Sequence, residues 1–120
     1  MLRRLTKKER VIMGHFWNNG PMFVRDLLNR YPDPRPSFNT LASQVRTLEK
    51  DGFLDRKLFG NCYRYYPIIS EKEYGRKTLT GTVEDFFGNS YLDVVSSLVR
   101  EERISLEELK ELVERIEKES

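Results

Sequence analysis

The sequence predicts a mainly α fold with a small β-hairpin (α+β), a winged helix-turn-helix followed by an α-helical dimerisation tail. Three observations predict it. Three helix-forming stretches with start and stop signals precede Pro67, two β-rich runs flank Gly60-Asn61, and the charge changes sign at Pro67. Residues 1–67 carry 13 Lys or Arg against 6 Asp or Glu, a net of +7, while residues 68–120 carry 8 against 13, a net of −5. Such asymmetry points to nucleic acid at the basic end, the alternative being two solvated surfaces of opposite sign. The expected domains are therefore residues 1–67, which bind DNA, and residues 68–120, which dimerise.

The first helix starts at Thr6, because Thr6 and Glu9 have the spacing of a capping box, in which each side chain satisfies a backbone N–H left over by the first turn. Ile12, Met13, Phe16 and Trp17 form its apolar stripe, and Asn18-Asn19-Gly20-Pro21 ends it. Met22 and Phe23 suit a minor strand. Val24, Leu27, Leu28 and Tyr31 mark a short second helix, stopped by the stiff turn Pro32-Asp33-Pro34-Arg35-Pro36.

Ser37 caps a third helix whose buried stripe is Leu41, Val45 and Leu48, with Gly52 closing it. At about 100° per residue, the opposite face carries Asn39, Thr40, Ser43, Arg46, Thr47 and Lys50. Small polar side chains let a helix approach base edges, Arg donates two bonds to a guanine, and a Thr methyl touches a thymine methyl. Asn39, Thr40, Ser43, Arg46 and Thr47 are thus candidates to read bases. After Gly52, two β-rich runs, 53–59 and 62–66, surround a hairpin turn with Gly first. Period-2 alternation sends one side-chain set to the core and the other outward. Arg56, Lys57 and Arg64 on the hairpin, with Ser37 and Lys50 on the third helix, are the candidate phosphate contacts.

By Pro67 the order of elements and the residues resemble the penicillinase and methicillin-resistance repressor family, which also includes copper-transport repressors. The stretches carrying the resemblance are Leu5-Thr6-Lys7-Lys8-Glu9 through Trp17, Asn39-Thr40-Leu41 through Leu48-Glu49-Lys50-Asp51-Gly52-Phe53, and Gly60-Asn61-Cys62-Tyr63-Arg64-Tyr65-Tyr66-Pro67. The resemblance implies a homodimeric repressor on a palindromic double-stranded DNA operator, disabled by a signal. It places the family's base-contacting positions at Asn39, Thr40, Ser43 and Arg46. In antibiotic-responsive members it implies a membrane-bound zinc metalloprotease sensor and cleavage of the tail at an Asn followed by an apolar residue. The equivalent positions here are Ser97 and Leu98, a departure at the residue that matters for cleavage. Copper-responsive members carry paired cysteines near the C-terminus, and this chain has none there.

The acidic half supplies three more amphipathic stretches. Ser70 to Glu73 has capping-box spacing ahead of Leu79, Val83, Phe86 and Phe87; Leu92, Val95, Leu98 and Val99 follow; Ser105 to Glu108 opens a last helix with Leu109, Leu112, Val113 and Ile116. Helices this short bury their stripes only against something else, either the winged helix or the same helices of a second chain. The aromatic pair with Leu92, Val95 and Leu98 suits an interlaced twofold interface.

Other function classes find little support. Cys62 is the one cysteine and His15 the one histidine, so no metal set or Cys-His nucleophile is expected, and no cofactor motif occurs. Cys62 is expected as a small packed thiol. The chain is expected to be non-enzymatic, without membrane insertion, and cytoplasmic, since the basic N-terminus lacks a following apolar run. The rival reading keeps the fold and gives it a protein or RNA partner in place of an operator.

Overall fold

Thr6 begins the first helix as expected. Its hydroxyl accepts from the Glu9 amide at 3.2 Å, the Glu9 carboxylate accepts from the Thr6 amide at 2.9 Å, and α1 runs Lys7–Asn19. The computed structural model describes residues 2–120. The remaining elements are β1 (Met22–Phe23), α2 (Val24–Leu28), α3 (Phe38–Lys50), β2 (Leu54–Phe59), β3 (Cys62–Pro67), α4 (Glu71–Phe86), α5 (Tyr91–Arg100) and α6 (Leu106–Glu119). Gly20, at φ +77°, stops α1 in a conformation that residues with a Cβ rarely adopt.

The three strands form one antiparallel sheet in the order β1-β3-β2, so the two-residue β1 joins the outer side of the hairpin. Phe59 pairs with Cys62 across Gly60-Asn61. Gly60 has φ +61° and Asn61 is not among the residues with positive φ, which is the Gly-first turn that matches strand twist. Helices and sheet close over one core. Ile12, Met13, Phe16, Leu27, Leu41, Val45, Leu48, Phe53 and Leu54 are all sealed from solvent in it.

Two expectations are corrected. The connection between α2 and α3 spans residues 29–37 and is longer than the stiff turn at residues 32–36 alone, because α2 ends at Leu28 and does not reach Tyr31, and Pro32, Pro34 and Pro36 prevent helix from resuming before Ser37. Inward alternation of the hairpin also holds only at its base. Leu54 and Tyr65 are buried, whereas Leu58, Phe59 and Tyr63 are exposed, since the hairpin tip extends past the core that would cover them.

The core does not stop at Pro67, where the charge changes. Ile69 is buried in the same cluster, its carbonyl accepts from the Trp17 indole N–H at 2.9 Å, and the Tyr74 hydroxyl accepts from the Leu5 amide at 2.8 Å. The chain accordingly divides into two compact units between Thr78 and Leu79, inside α4. The second unit contains the rest of α4 with α5 and α6, capped by Ser90 and Ser105. Among the described residues, no helix is long and apolar enough to cross a membrane.

Candidate nucleic-acid interface

The exposed face of α3 is set by its cap and its buried stripe. Ser37 accepts from the Thr40 amide at 3.1 Å, which starts the helix. From that start Leu41, Ala42, Val45 and Leu48 fall inward, and Asn39, Thr40, Ser43, Arg46, Thr47 and Lys50 all fall in solvent. The sequence-derived face is therefore one continuous exposed surface.

Hydrogen bonding within the helix divides these residues by what they have left to offer. Ser37 uses its hydroxyl proton on the Thr40 hydroxyl oxygen at 2.8 Å, so it is occupied as acceptor and donor while Thr40 keeps its own proton. Thr47 donates to the Ser43 carbonyl at 3.1 Å, leaving its methyl and lone pairs outward. Among the described residues, the side chains of Asn39, Ser43, Arg46 and Lys50 have no hydrogen bond or ion pair. A guanidinium and an amide held ready on an exposed helix, with nothing of their own to bind, suit the donor and acceptor edges of base pairs.

The hairpin brings Arg56 beside that helix and carries Lys57 and Arg64 on its other face. Arg56 pairs with Glu49 of α3 at 3.1 Å and its guanidinium lies 4.0 Å from the centre of the Tyr63 ring, which fixes the hairpin to the helix. Lys57 stands directly opposite Arg64 in the β2–β3 register, a like-charge pair that costs stability by itself. Both lie over the Phe59 ring, at 5.6 and 4.3 Å, which offsets part of that cost.

Sequence reasoning missed the residue that ties the N-terminus to this surface. Arg3 donates to both Glu9 carboxylate oxygens and to Asp51 just past α3, each at 2.8 Å. No local pattern announces a contact across 48 positions. Cys62 also departs from expectation. It is exposed at the start of β3, because the hairpin tip that carries it lies beyond the core. His15 is half-buried against Tyr31, with ring centres 5.2 Å apart, and burial with the nearby Arg30 charge lowers its pKa. Among the described residues, no group of three potential metal ligands occurs.

The tail residues named for dimerisation are mostly in solvent. Leu79, Phe86, Phe87, Leu92, Leu112, Val113 and Ile116 are exposed, with Phe86 at 77% and Leu92 at 82%; Val95, Leu98 and Leu109 are half-buried. Val83 differs from the set: at 1% exposure it is already buried within the single chain, so it has no area left to bury against another. Ser97 and Leu98 both lie inside α5 and are half-buried.

A model of the penicillinase repressor family matches residues 5–118, which spans the winged helix and the tail alike. The chain belongs to the penicillinase repressor family. It is similar to the methicillin resistance regulatory protein MecI of Mammaliicoccus sciuri, of Staphylococcus aureus and of Staphylococcus epidermidis, at 27% identity over 73 residues in each case. That match covers 61% of this chain and 59% of the MecI chains. The family match thus reaches the acidic tail of this penicillinase-repressor relative, whereas the pairwise similarity is shorter.

Proposed function

We propose that this family member is a sequence-specific DNA-binding transcriptional repressor acting in the cytoplasm as a homodimer on a palindromic operator. The observation that carries the reading is the exposed face of α3, where Asn39, Ser43 and Arg46 have no partner within the described residues, with a hairpin bearing Arg56, Lys57 and Arg64 tied to the same helix through Arg56 and Glu49. In this reading Asn39, Thr40, Ser43, Arg46 and Thr47 meet base edges, while Lys50, Arg56, Lys57 and Arg64 meet phosphates, and Ser37 joins them by turning its hydroxyl proton from Thr40 to a phosphate oxygen. The role is binding, not catalysis.

The basic part up to Pro67 supplies the DNA contacts, and within the acidic part from Ile68 the residues past Thr78 supply the second copy. One recognition helix reads too few base pairs for specificity, and two helices about one helical turn (~34 Å) apart multiply the discrimination. The exposed apolar side chains of α5 and α6 are the surface that joins the copies. A signal that parts the tails turns bivalent binding into two weak contacts, whether it comes from a membrane-bound metalloprotease sensor acting near Ser97-Leu98 or from another source. The names of the relatives make resistance genes the first to examine as targets.

Footprinting of the DNA upstream of the protein's own gene and its neighbours tests the proposal. Protection of two inverted half-sites about one turn apart is expected. Uniform protection without sequence preference would refute operator binding.

A further inference from the structure

Between α3 and the hairpin lies a cleft of about 490 Å³, within the range of small-molecule sites. Phe38 at the start of α3, Phe23, and Phe59 and Tyr63 of the hairpin line it, together with Arg25 and Arg46. Three of these rings have aromatic or cation partners, Phe23 edge-on to Phe59 at 6.2 Å and Tyr63 beneath Arg56. Phe38, Phe59 and Tyr63 nevertheless keep 45%, 39% and 41% of their surface in solvent. Exposed rings gathered round one concavity suit a ligand that can stack on them.

Charge narrows the class of occupant. Arg25 and Arg46 have no ion pair or hydrogen bond among the described residues. The one carboxylate lining the cleft, Asp26, already accepts from the Phe23 amide at 3.2 Å as the cap of α2. Aromatic walls with an uncompensated pair of guanidiniums complement a planar ring bearing a carboxylate, which stacks on the one and is held by the other. Duplex DNA matches the site less well, because phosphates gain nothing from aromatic walls and its bases are already stacked.

We propose that this cleft binds a small aromatic carboxylate, and that the bound molecule engages Arg46 and so competes with the operator. Binding itself is independent of the repressor reading; the competition rests on it.

Calorimetric titration of the full chain with 2-naphthoate, 2-naphthamide and inorganic phosphate tests the site. Saturable naphthoate binding is expected, with naphthamide about tenfold weaker and no saturable phosphate binding. Arg25→Gln, at an exposed position, is expected to weaken naphthoate about tenfold while leaving the melting temperature unchanged. Absent naphthoate binding, equal binding of the acid and the amide, or binding indifferent to Arg25→Gln overturns the assignment. Phosphate binding as tight as naphthoate gives the cleft to the DNA backbone and overturns it too. At saturating naphthoate, operator affinity is expected to fall at least about tenfold. Unchanged affinity overturns the competition alone. A chain that binds no operator in any condition refutes the repressor reading, while the titration still decides the cleft.

Discussion

Arg3 grips Glu9 by both carboxylate oxygens at 2.8 Å, in a pair that also caps the start of α1. Hydrogen bonds from Arg3, outweighing the opposing effect of burial, hold the Glu9 carboxyl at about 2, well below its ordinary 4.5. A pKa depressed by folding adds stability that is complete above 4.5 and disappears as pH falls towards 2. Arg3 is 37% exposed, so solvent screening reduces the contribution to roughly 1–2 kcal/mol. Glu9→Gln should therefore lower unfolding stability by about that amount at pH 7 and flatten its decline between pH 4.5 and 2. Urea unfolding at several pH values checks this; an unchanged acid limb in Glu9→Gln would show that the pair does not couple to folding.

Lys57 and Arg56 should separate a phosphate contact from a hinge of the hairpin. Lys57 lies over the Phe59 ring and has no ion pair among the described residues, so Lys57→Ala should weaken all DNA sequences alike and shallow the salt dependence by about one unit. Arg56→Ala also removes the Glu49 tie and the Tyr63 contact. It is expected to increase hairpin mobility in NMR relaxation, which Lys57→Ala leaves unchanged.

Truncation should show where the winged helix ends. A fragment ending at Thr78 keeps Ile69 and Tyr74 and is expected to fold, sediment as a monomer and bind a half-site weakly. One ending at Pro67 loses the Trp17–Ile69 and Leu5–Tyr74 hydrogen bonds with a buried Ile, and should be less stable by about 3 kcal/mol or more. Equal stability of the two fragments would mean that these contacts are dispensable.

Those contacts also mark the limit of what sequence shows. Caps and turns are local, so Thr6 with Glu9, Ser37, Ser105 and the Gly60-Asn61 turn announce α1, α3, α6 and the hairpin within a residue or so. The polar face of α3 follows from the same periodicity. Reach across the chain has no such signal: Arg3 to Asp51, Trp17 to Ile69 and Leu5 to Tyr74 depend on how elements pack. Alternation likewise predicts which hairpin side chains share a face, not how far the core extends beneath them, and Cys62 and Tyr63 lie beyond its edge.

In the tail, Leu92→Glu should dissociate the proposed dimer without unfolding the chain, since the side chain is 82% exposed and supports little within one copy. Sedimentation should report a monomer with unchanged helicity. A protease site inserted between Ser97 and Leu98 should act likewise once cut. A Leu92→Glu protein that stays dimeric would place the interface elsewhere.

The central claim, that the exposed face of α3 reads the operator through Arg46, is tested most directly by measuring affinities of wild type and Arg46→Ala for the footprinted operator and its single-base variants at one salt concentration. Loss of roughly 1–3 kcal/mol on the operator, with discrimination relaxed at one symmetric pair of positions and weak binding elsewhere unchanged, is the expected result. Operator affinity and sequence preference equal to wild type in Arg46→Ala would contradict it.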